Sequence, residues 1–373
     1  MRFIPALADM VAYEPGLPLE LVMARYGLDR VVKLASNEFP LPPFPAVKEA
    51  VVAALDDLNR YPDGHCTALR EALATHYGRR PEQVIVGNGS CELLMLLGDA
   101  LLEAGDEVVF ADPSFVVYGD ICRRHRARAV TVPLVDFSHD LAAMAAAVTP
   151  RTKMVIVCNP NNPTGTYVPS DEVAALAAAL PDDVLLVVDE AYNEFVTRDD
   201  RDGCLALQAG RDNVVVLRTF SKIYGLCGLR VGYGLCSPAV HDAVEKLRQP
   251  FNVNRLAQVA ATEALRHQDE VARRRETNAR LRARMVAALA ERGLATVPSE
   301  ANFMLVQATG LAVPPERVFE ELLRRGVIVR DGAALGCPGW VRVSVGTEEE
   351  TEVFLAAMDA LRQPASGLEG RSV

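Results

Sequence analysis

The sequence has little of what marks secreted, membrane or nucleic-acid-binding proteins. Among its 373 residues is one tryptophan, and no stretch approaches the roughly 18 uncharged apolar residues of a membrane span. The net charge of −10 gives no global attraction to nucleic acid or to an anionic membrane. Acidic residues and prolines interrupt the first sixteen residues, where a signal peptide needs an apolar run. We therefore expect a cytoplasmic protein that binds neither nucleic acid nor membrane.

The eight cysteines show no arrangement typical of a disulfide framework or a zinc site, because they are scattered and include no C-x-x-C pair. They lie at positions 66, 91, 122, 158, 204, 227, 236 and 337. We interpret them as reduced thiols, mostly in the core, and we expect no metal site.

Short β-branched runs alternate with Ala- and Leu-rich stretches between residues 84 and 248. This alternation is typical of an α/β domain in which helices cover both faces of a mostly parallel sheet. We predict seven strands, at Val84–Val86, Glu107–Phe110, Ala129–Val132, Met154–Cys158, Leu185–Asp189, Val214–Thr219 and Val231–Leu235.

The pattern changes after residue 250. An Arg-, Glu- and Ala-rich stretch at 255–292 predicts a long helical segment, and we interpret Arg273–Arg275 as part of a solvated helix face. Short strands interleaved with helices follow, which indicates a smaller α+β domain. The predicted parts are an N-terminal arm that packs on the smaller domain or on a partner subunit, a large domain, a small domain and a flexible tail, at residues 1–34, 35–250, 251–363 and 364–373.

Lys222 and Asp189 each follow the apolar run of a predicted strand. Ligands bind at the carboxyl ends of parallel strands, whereas a structural lysine normally lies in solvent. A carboxylate at such a position can keep a pyridine nitrogen protonated, or it can cap a helix. Taken alone, Lys222 is explained equally well as a surface lysine, whereas for Asp189 the helix cap is the lesser alternative.

Two further loops follow strands of the same predicted sheet. The run Asn159–Gly165 fixes a tight turn, and an amide there could donate to an aromatic oxygen. Gly87–Glu92 opens a helix, whose first N–H groups could hold a phosphate. Together the four loops supply an amine, an acid, an amide donor and a phosphate site. This set fits pyridoxal 5′-phosphate (PLP) better than any other cofactor.

In this combination of motifs, the sequence resembles the fold-type I PLP enzymes, and within them the histidinol-phosphate aminotransferase group of the class I/II aminotransferases. The resemblance extends from Tyr13 to Val345. Its motifs are Leu34–Glu38, Arg60–Gly64, the Gly87 loop, Asn159–Gly165, Asp189–Tyr192, the Ser221–Lys222 loop, Phe251–Asn254, Ala301–Phe303 and Val341–Gly346.

The resemblance implies a role for each residue of a PLP site. Lys222 would be the Schiff-base lysine and would move the proton between substrate and cofactor, while Asp189 would pair with the pyridine nitrogen. Asn159 and Tyr192 would bond the phenolic oxygen, and Phe115 would stack on the ring. The residues that would hold the phosphate are Gly89, Ser90, Cys91, Thr219, Ser221, Arg230 and, from the partner subunit of a homodimer, Tyr61.

On the substrate side, the resemblance implies that Arg330, Arg342 and Tyr13 hold a substrate phosphate and that Asn37 lines the pocket. Two cations and a hydroxyl suit a dianion. The predicted reaction is amino transfer between histidinol phosphate and 2-oxoglutarate, a step of histidine biosynthesis.

Other functions stay open at this point. An aromatic amino-acid aminotransferase would use Arg342 for a carboxylate, and the bulky run Phe39–Phe44 departs from the usual pattern of relatives beside the pocket. A PLP-dependent decarboxylase or amino-acid oxidase would share Lys222 and Asp189. A non-enzymatic regulator is the least supported, because it would usually carry an added DNA-binding segment.

Overall fold

Residues 17–362, together with Met1 and Leu7, are described by the computed structural model of the protein. Tyr13 and the predicted tail at 364–373 lie outside the described residues. The α-helices are α1 Leu19–Tyr26, α2 Pro45–Ala53, α3 Thr67–Tyr77, α4 Ser90–Leu101, α5 Val117–His125, α6 Leu141–Ala146, α7 Ser170–Ala179, α8 Gly203–Ala209, α9 Pro238–Leu247, α10 Arg255–Leu265, α11 Gln268–Glu291, α12 Pro315–Arg324 and α13 Glu348–Arg362. None of the helices in the described part is long and apolar enough to span a membrane.

The strands form three sheets. The strands are β1 Val32–Lys33, β2 Val84–Gly87, β3 Glu107–Asp112, β4 Arg128–Pro133, β5 Thr152–Cys158, β6 Leu185–Asp189, β7 Val214–Thr219, β8 Gly232–Leu235, β9 Phe303–Gln307, β10 Val327–Ile328, β11 Arg330–Asp331 and β12 Trp340–Ser344. The large sheet has the order β2-β8-β7-β6-β5-β3-β4, in which only β8 runs antiparallel to its neighbours. The predicted fold class and its seven strands are confirmed.

The central strands of the large sheet are buried on both faces, which explains their nearly continuous apolar sequence. One face packs on helices through a cluster that includes Ile85, Leu97 and Ile121. The other face packs through a cluster that includes Val155 and Leu176. Because both faces are covered, the carboxyl ends of the parallel strands remain as the place where polar side chains can meet.

The C-terminal part contains the three-stranded antiparallel sheet β11-β12-β9 and the parallel pair β1-β10. Its core joins residues of α11, α12 and α13, among them Met285, Leu322 and Phe354. Val22 of α1 packs on the same part of the molecule, against Leu323. Residues 17–34 therefore contact the C-terminal part, while the domain boundaries remain a prediction.

The predicted helical segment at 255–292 forms two helices, because α10 ends at Leu265 and α11 begins at Gln268. The backbone leaves the helical region at His267, where φ is −105° and ψ is 57°. Two acidic residues, Asp269 and Glu270, then occupy the first turn of α11, where negative charge is favourable. A turn without glycine or proline hides this break in the sequence.

Candidate active site

The loops that follow β2, β3, β5, β6 and β7 open on one cavity of ≈ 430 Å³, together with residues of the C-terminal part. Most of the predicted site residues lie along its wall. They are Asn37, Ser90, Cys91, Phe115, Asp189, Tyr192, Thr219, Ser221, Lys222, Arg230, Arg330 and Arg342. The topology thus brings residues from distant parts of the sequence to the edge of the sheet that was predicted to bind a ligand.

Lys222 lies in the turn after β7, where its carbonyl oxygen accepts a hydrogen bond of 2.9 Å from the Gly225 N–H. Its Nζ lies 5.3 Å from the centre of the Tyr192 ring. Burial, and then the positive charge of Arg342, lower the pKa of Lys222 to about 8. A large share of neutral amine is therefore present in weakly alkaline solution, and a neutral amine is nucleophilic.

Asp189 lies at the carboxyl end of β6, where it is 2% exposed. Burial raises its pKa, while a hydrogen bond of 2.8 Å from the Tyr118 hydroxyl to Oδ2 opposes that rise by stabilising the carboxylate. The Ala191 N–H donates to Oδ1 at 3.3 Å. The carboxylate is therefore held in one orientation at the wall of the cavity.

The first turn of α4 and Arg230 form a small cradle beside the cavity. Gly89 precedes the helix with φ +84°, and a Cβ on it would lie 2.5 Å from Nη2 of Arg230. A Cβ on Gly232 would lie 2.4 Å from the backbone nitrogen of Ser90. Nη1 of Arg230 donates to Oγ of Ser221 at 3.1 Å. Helix N–H groups and a guanidinium in this arrangement can bind a phosphate.

At the opposite wall, Arg342 of β12 donates to the Asn162 side chain at 2.5 Å and to the carbonyl oxygen of Ala35 at 2.7 Å. Arg342 is directly opposite Arg330 in the antiparallel pair β11-β12. Asn37, which is 2% exposed, donates from Nδ2 to the Tyr192 hydroxyl at 3.1 Å. This wall therefore carries two guanidinium groups.

Residues 29–358 match the family model of the class I and II aminotransferases. The chain belongs to this family. The aminotransferase is 45% identical to the histidinol-phosphate aminotransferase of Moorella thermoacetica over 354 residues, which are 95% of this chain and 91% of that relative. It is 44% identical to the enzyme of the same description from Geobacillus thermodenitrificans, over 97% of this chain and 99% of the relative.

Solved structures agree with the fold of this aminotransferase. The histidinol-phosphate aminotransferase of Sinorhizobium meliloti, a complex with PLP, superposes with a TM-score of 0.88 at 32% identity and covers 96% of this chain and 97% of its own. The aspartate aminotransferase of Thermus thermophilus with maleate superposes with a TM-score of 0.81 at 28% identity, over 96% of this chain and all of its own.

One predicted residue of the aminotransferase needs correction. Asn159 does not line the cavity, because its side chain bonds the backbone of Val168 at both ends, with Oδ1 accepting at 3.0 Å and Nδ2 donating at 2.8 Å. Asn162, three residues later, does line the cavity, and its Oδ1 accepts from Arg342. Asn162, which the sequence analysis did not name, is therefore an asparagine of this turn that faces the cavity.

Two other predicted residues lie off the cavity wall. Gly89 lies behind it, where the absence of a side chain makes room for Arg230. Tyr61 is 79% exposed and stacks on Phe251, with ring centres 4.6 Å apart. Tyr118 is a further residue that the sequence reading missed. It lies three positions after Phe115, which precedes α5, and the two ring centres are 5.7 Å apart.

Proposed function

We propose that the protein is a PLP-dependent aminotransferase that transfers the amino group between histidinol phosphate and 2-oxoglutarate. The observation that carries the choice of substrate is the placement of Arg330 opposite Arg342 on the wall of the cavity that contains Lys222. Like charges directly across a strand pair repel each other, and a dianionic group between them relieves that repulsion. The relatives named above, which act on histidinol phosphate by their description, support the same substrate.

The shape of the cradle supports PLP as the cofactor. A methyl group on Gly89 would clash with Arg230, and one on Gly232 would clash with the backbone nitrogen of Ser90, so the two glycines let these groups come close together at the start of α4. Arg230 and Ser221 add a cation and a hydroxyl to the cradle. These hydrogen-bond donors suit a phosphate. The carboxylate of Asp189 and the amine of Lys222 lie on the same cavity, as PLP requires. The phosphate would be held by Ser90, Cys91, Thr219, Ser221 and Arg230.

Bound PLP supplies a ring that withdraws electrons and stabilises negative charge at the substrate Cα. Asp189 would hold the proton on the ring nitrogen, since its carboxylate is buried and bonded by Tyr118. Lys222 would be the covalent attachment point, and its released amine would then move the proton at the substrate Cα. The lowered pKa of Lys222, about 8, favours both roles.

Three side chains would position the cofactor ring. Asn162 and Tyr192 line the cavity beside Lys222, and their polar ends would bond the phenolic oxygen. Phe115, which is half-buried on the cavity wall, would stack on the ring. Arg330 and Arg342 would receive the substrate phosphate on the far wall. Tyr13, which was predicted to help hold the substrate phosphate, lies outside the described residues.

We further propose a homodimer in which Tyr61 completes the cradle of the other subunit. Tyr61 is exposed and does not line its own cavity. Other exposed apolar side chains, Val52, Leu55 and Leu58, precede it by three to nine residues in the sequence. Exposed apolar patches of this kind mark interaction sites. Stacking on Phe251 holds the Tyr61 ring in a defined orientation on the surface.

Steady-state kinetics with three amino donors test the substrate. Histidinol phosphate, histidinol and phenylalanine are compared with 2-oxoglutarate as acceptor. Since each charged hydrogen bond to phosphate contributes about 1.5–3 kcal/mol, two arginines predict a preference in kcat/KM of roughly 10²- to 10⁴-fold for histidinol phosphate over histidinol. Equal use of histidinol phosphate and histidinol, or a preference for phenylalanine, would overturn the proposed substrate.

A further inference from the structure

Arg274 of α11 lies where the sequence predicts a solvated helix face, yet it is 7% exposed. Its guanidinium contacts two separate chain segments. Nη1 donates to the carbonyl oxygen of Ile223 at 2.8 Å, and Nη2 donates to the carbonyl oxygen of Pro42. The guanidinium also faces the rings of Phe39 and Phe44, at 4.9 Å and 4.2 Å from their centres. Arg274 therefore connects the residue after Lys222 with the segment 39–44.

The guanidinium of Arg274 carries a charge and is buried, which is energetically unfavourable. Burial lowers the pKa of Arg274 to about 10, and in the described part of the chain no carboxylate lies within ion-pair distance of it. Arg282, which is also buried on α11, has such a partner, because Glu300 lies 3.3 Å away. The charge of Arg274 is stabilised instead by carbonyl oxygens and aromatic faces, with a longer-range contribution from the carboxylate of Glu270. A plain apolar side chain would fill the same space without the desolvation cost.

The two segments that Arg274 connects both carry site residues. The segment that leads to Phe39 begins with Asn37, whose backbone N–H donates to Ser344 at 3.0 Å and whose side chain bonds Tyr192. On the other side, the Lys222 turn closes at Gly225. A Cβ on Gly225 would lie 3.2 Å from the Leu41 carbonyl oxygen and 3.3 Å from Nη1 of Arg274. The Lys222 turn, the 39–44 segment and the guanidinium are therefore in direct contact.

We infer that Arg274 is a positioning residue, which fixes the Lys222 turn against the segment that carries Asn37. It acts through the carbonyl oxygens of Ile223 and Pro42 and touches neither substrate nor cofactor. One consequence is that Arg274, a residue of the C-terminal part, keeps Lys222 at a fixed distance from the segment that carries Asn37. The inference rests on the proposed role of Lys222 in holding PLP, and it does not depend on which amino donor the enzyme uses.

The test replaces Arg274 by methionine and by lysine, with two matched controls on the same helix. Arg273→Met removes an exposed arginine that pairs only with acidic residues of its own helix. Arg282→Met removes a buried arginine that bonds the Ala301 carbonyl oxygen and Glu300, away from the Lys222 turn. For each variant we would measure the Kd for PLP by absorbance titration, KM and kcat for the best amino donor of the wild type, and unfolding in urea.

Arg274→Met is expected to raise the Kd for PLP and the KM each by about tenfold or more, since two charged hydrogen bonds are lost. Arg274→Lys, which can bond one carbonyl oxygen, is expected to fall between methionine and wild type. Arg282→Met is expected to lower the urea midpoint while Kd and KM stay within about twofold, and Arg273→Met to change neither.

The inference is overturned if folded Arg274→Met binds PLP and substrate as the wild type does, or if Arg282→Met raises Kd and KM equally. Should Arg274→Met fail to fold, the same criteria apply to Arg274→Lys. Binding of PLP needs no amino donor, so this result stands apart from the test of histidinol phosphate. An enzyme that prefers another donor would contradict the proposed substrate and leave the Arg274 experiment fully interpretable with that donor.

Discussion

Alanine at Asn159 is expected to destabilise the fold, whereas alanine at Asn162 is expected to impair the site. The two residues share one turn, but Asn159 bonds only backbone and Asn162 faces the cavity. Both are nearly buried, at 1% and 9% exposure, so exposure alone does not distinguish them. Their different partners predict opposite outcomes in two assays.

The magnitude for Asn159→Ala follows from the Val168 backbone, which loses a partner for its N–H and another for its carbonyl oxygen. Val168 is 3% exposed, so water has little access to either group. With about 1–3 kcal/mol for each buried group left unsatisfied, the free energy of unfolding falls by about 2–6 kcal/mol. That is a large part of the roughly 5–15 kcal/mol that stabilises most proteins. Urea unfolding of the purified variant measures it.

Asn162→Ala removes the Oδ1 that accepts from Arg342, together with the amide donor at the cavity wall. The loss of one or two hydrogen bonds to charged groups, about 1.5–3 kcal/mol, lowers kcat/KM by roughly 10- to 100-fold. The urea midpoint changes little, because the cavity gives water access to the remaining groups. If folded Asn159→Ala loses cofactor affinity at unchanged stability while Asn162→Ala retains full kcat/KM, the correction from Asn159 to Asn162 is refuted.

Further predictions concern the amine, the substrate wall and the ring acid. Lys222→Ala is expected to abolish amino transfer and to leave a folded protein. After borohydride reduction of the wild type with PLP, mass spectrometry is expected to find the adduct on Lys222. An adduct on another residue contradicts the assignment. Arg330→Ala lowers kcat/KM by about tenfold or more for histidinol phosphate and much less for phenylalanine; equal losses remove the phosphate argument. Tyr118→Phe removes the hydrogen bond that lowers the pKa of Asp189, so the carboxylate protonates at higher pH. The acid limb of the profile of kcat/KM against pH is therefore expected to move to higher pH. A limb that does not move shows that Tyr118 does not act on Asp189.

The large sheet was predictable because its strands are short, β-branched and buried on both faces. Leu185–Asp189 and Val214–Thr219 have the predicted bounds, and β5 extends the prediction by two residues at its start. The carboxyl ends of such strands meet at one edge, so the placement of Lys222 and Asp189 followed from topology. Tyr118 could not be found in this way, because its contact with Asp189 joins the first turn of α5 to the end of β6, 71 residues later in the sequence.

The choice between Asn159 and Asn162 could not be made from the turn alone. The run contains three asparagines, and each can bond backbone or face a ligand. The deciding contact comes from Val168, nine residues after Asn159, which pairs with both ends of its amide. The burial of Arg274 could not be predicted for a similar reason. It depends on Pro42 and Phe44, which lie more than two hundred residues earlier in the sequence.

The wall that carries Arg330 and Arg342 was the hardest part to predict, because Arg330 belongs to a very short strand. β11 has two residues, and one of them is Arg330. Only the antiparallel register with β12 places Arg330 opposite Arg342, and a shift of one residue would turn the two side chains to opposite faces. Two cations held opposite each other favour an anion with more than one charge, so specificity in this site depends on a register that no motif records.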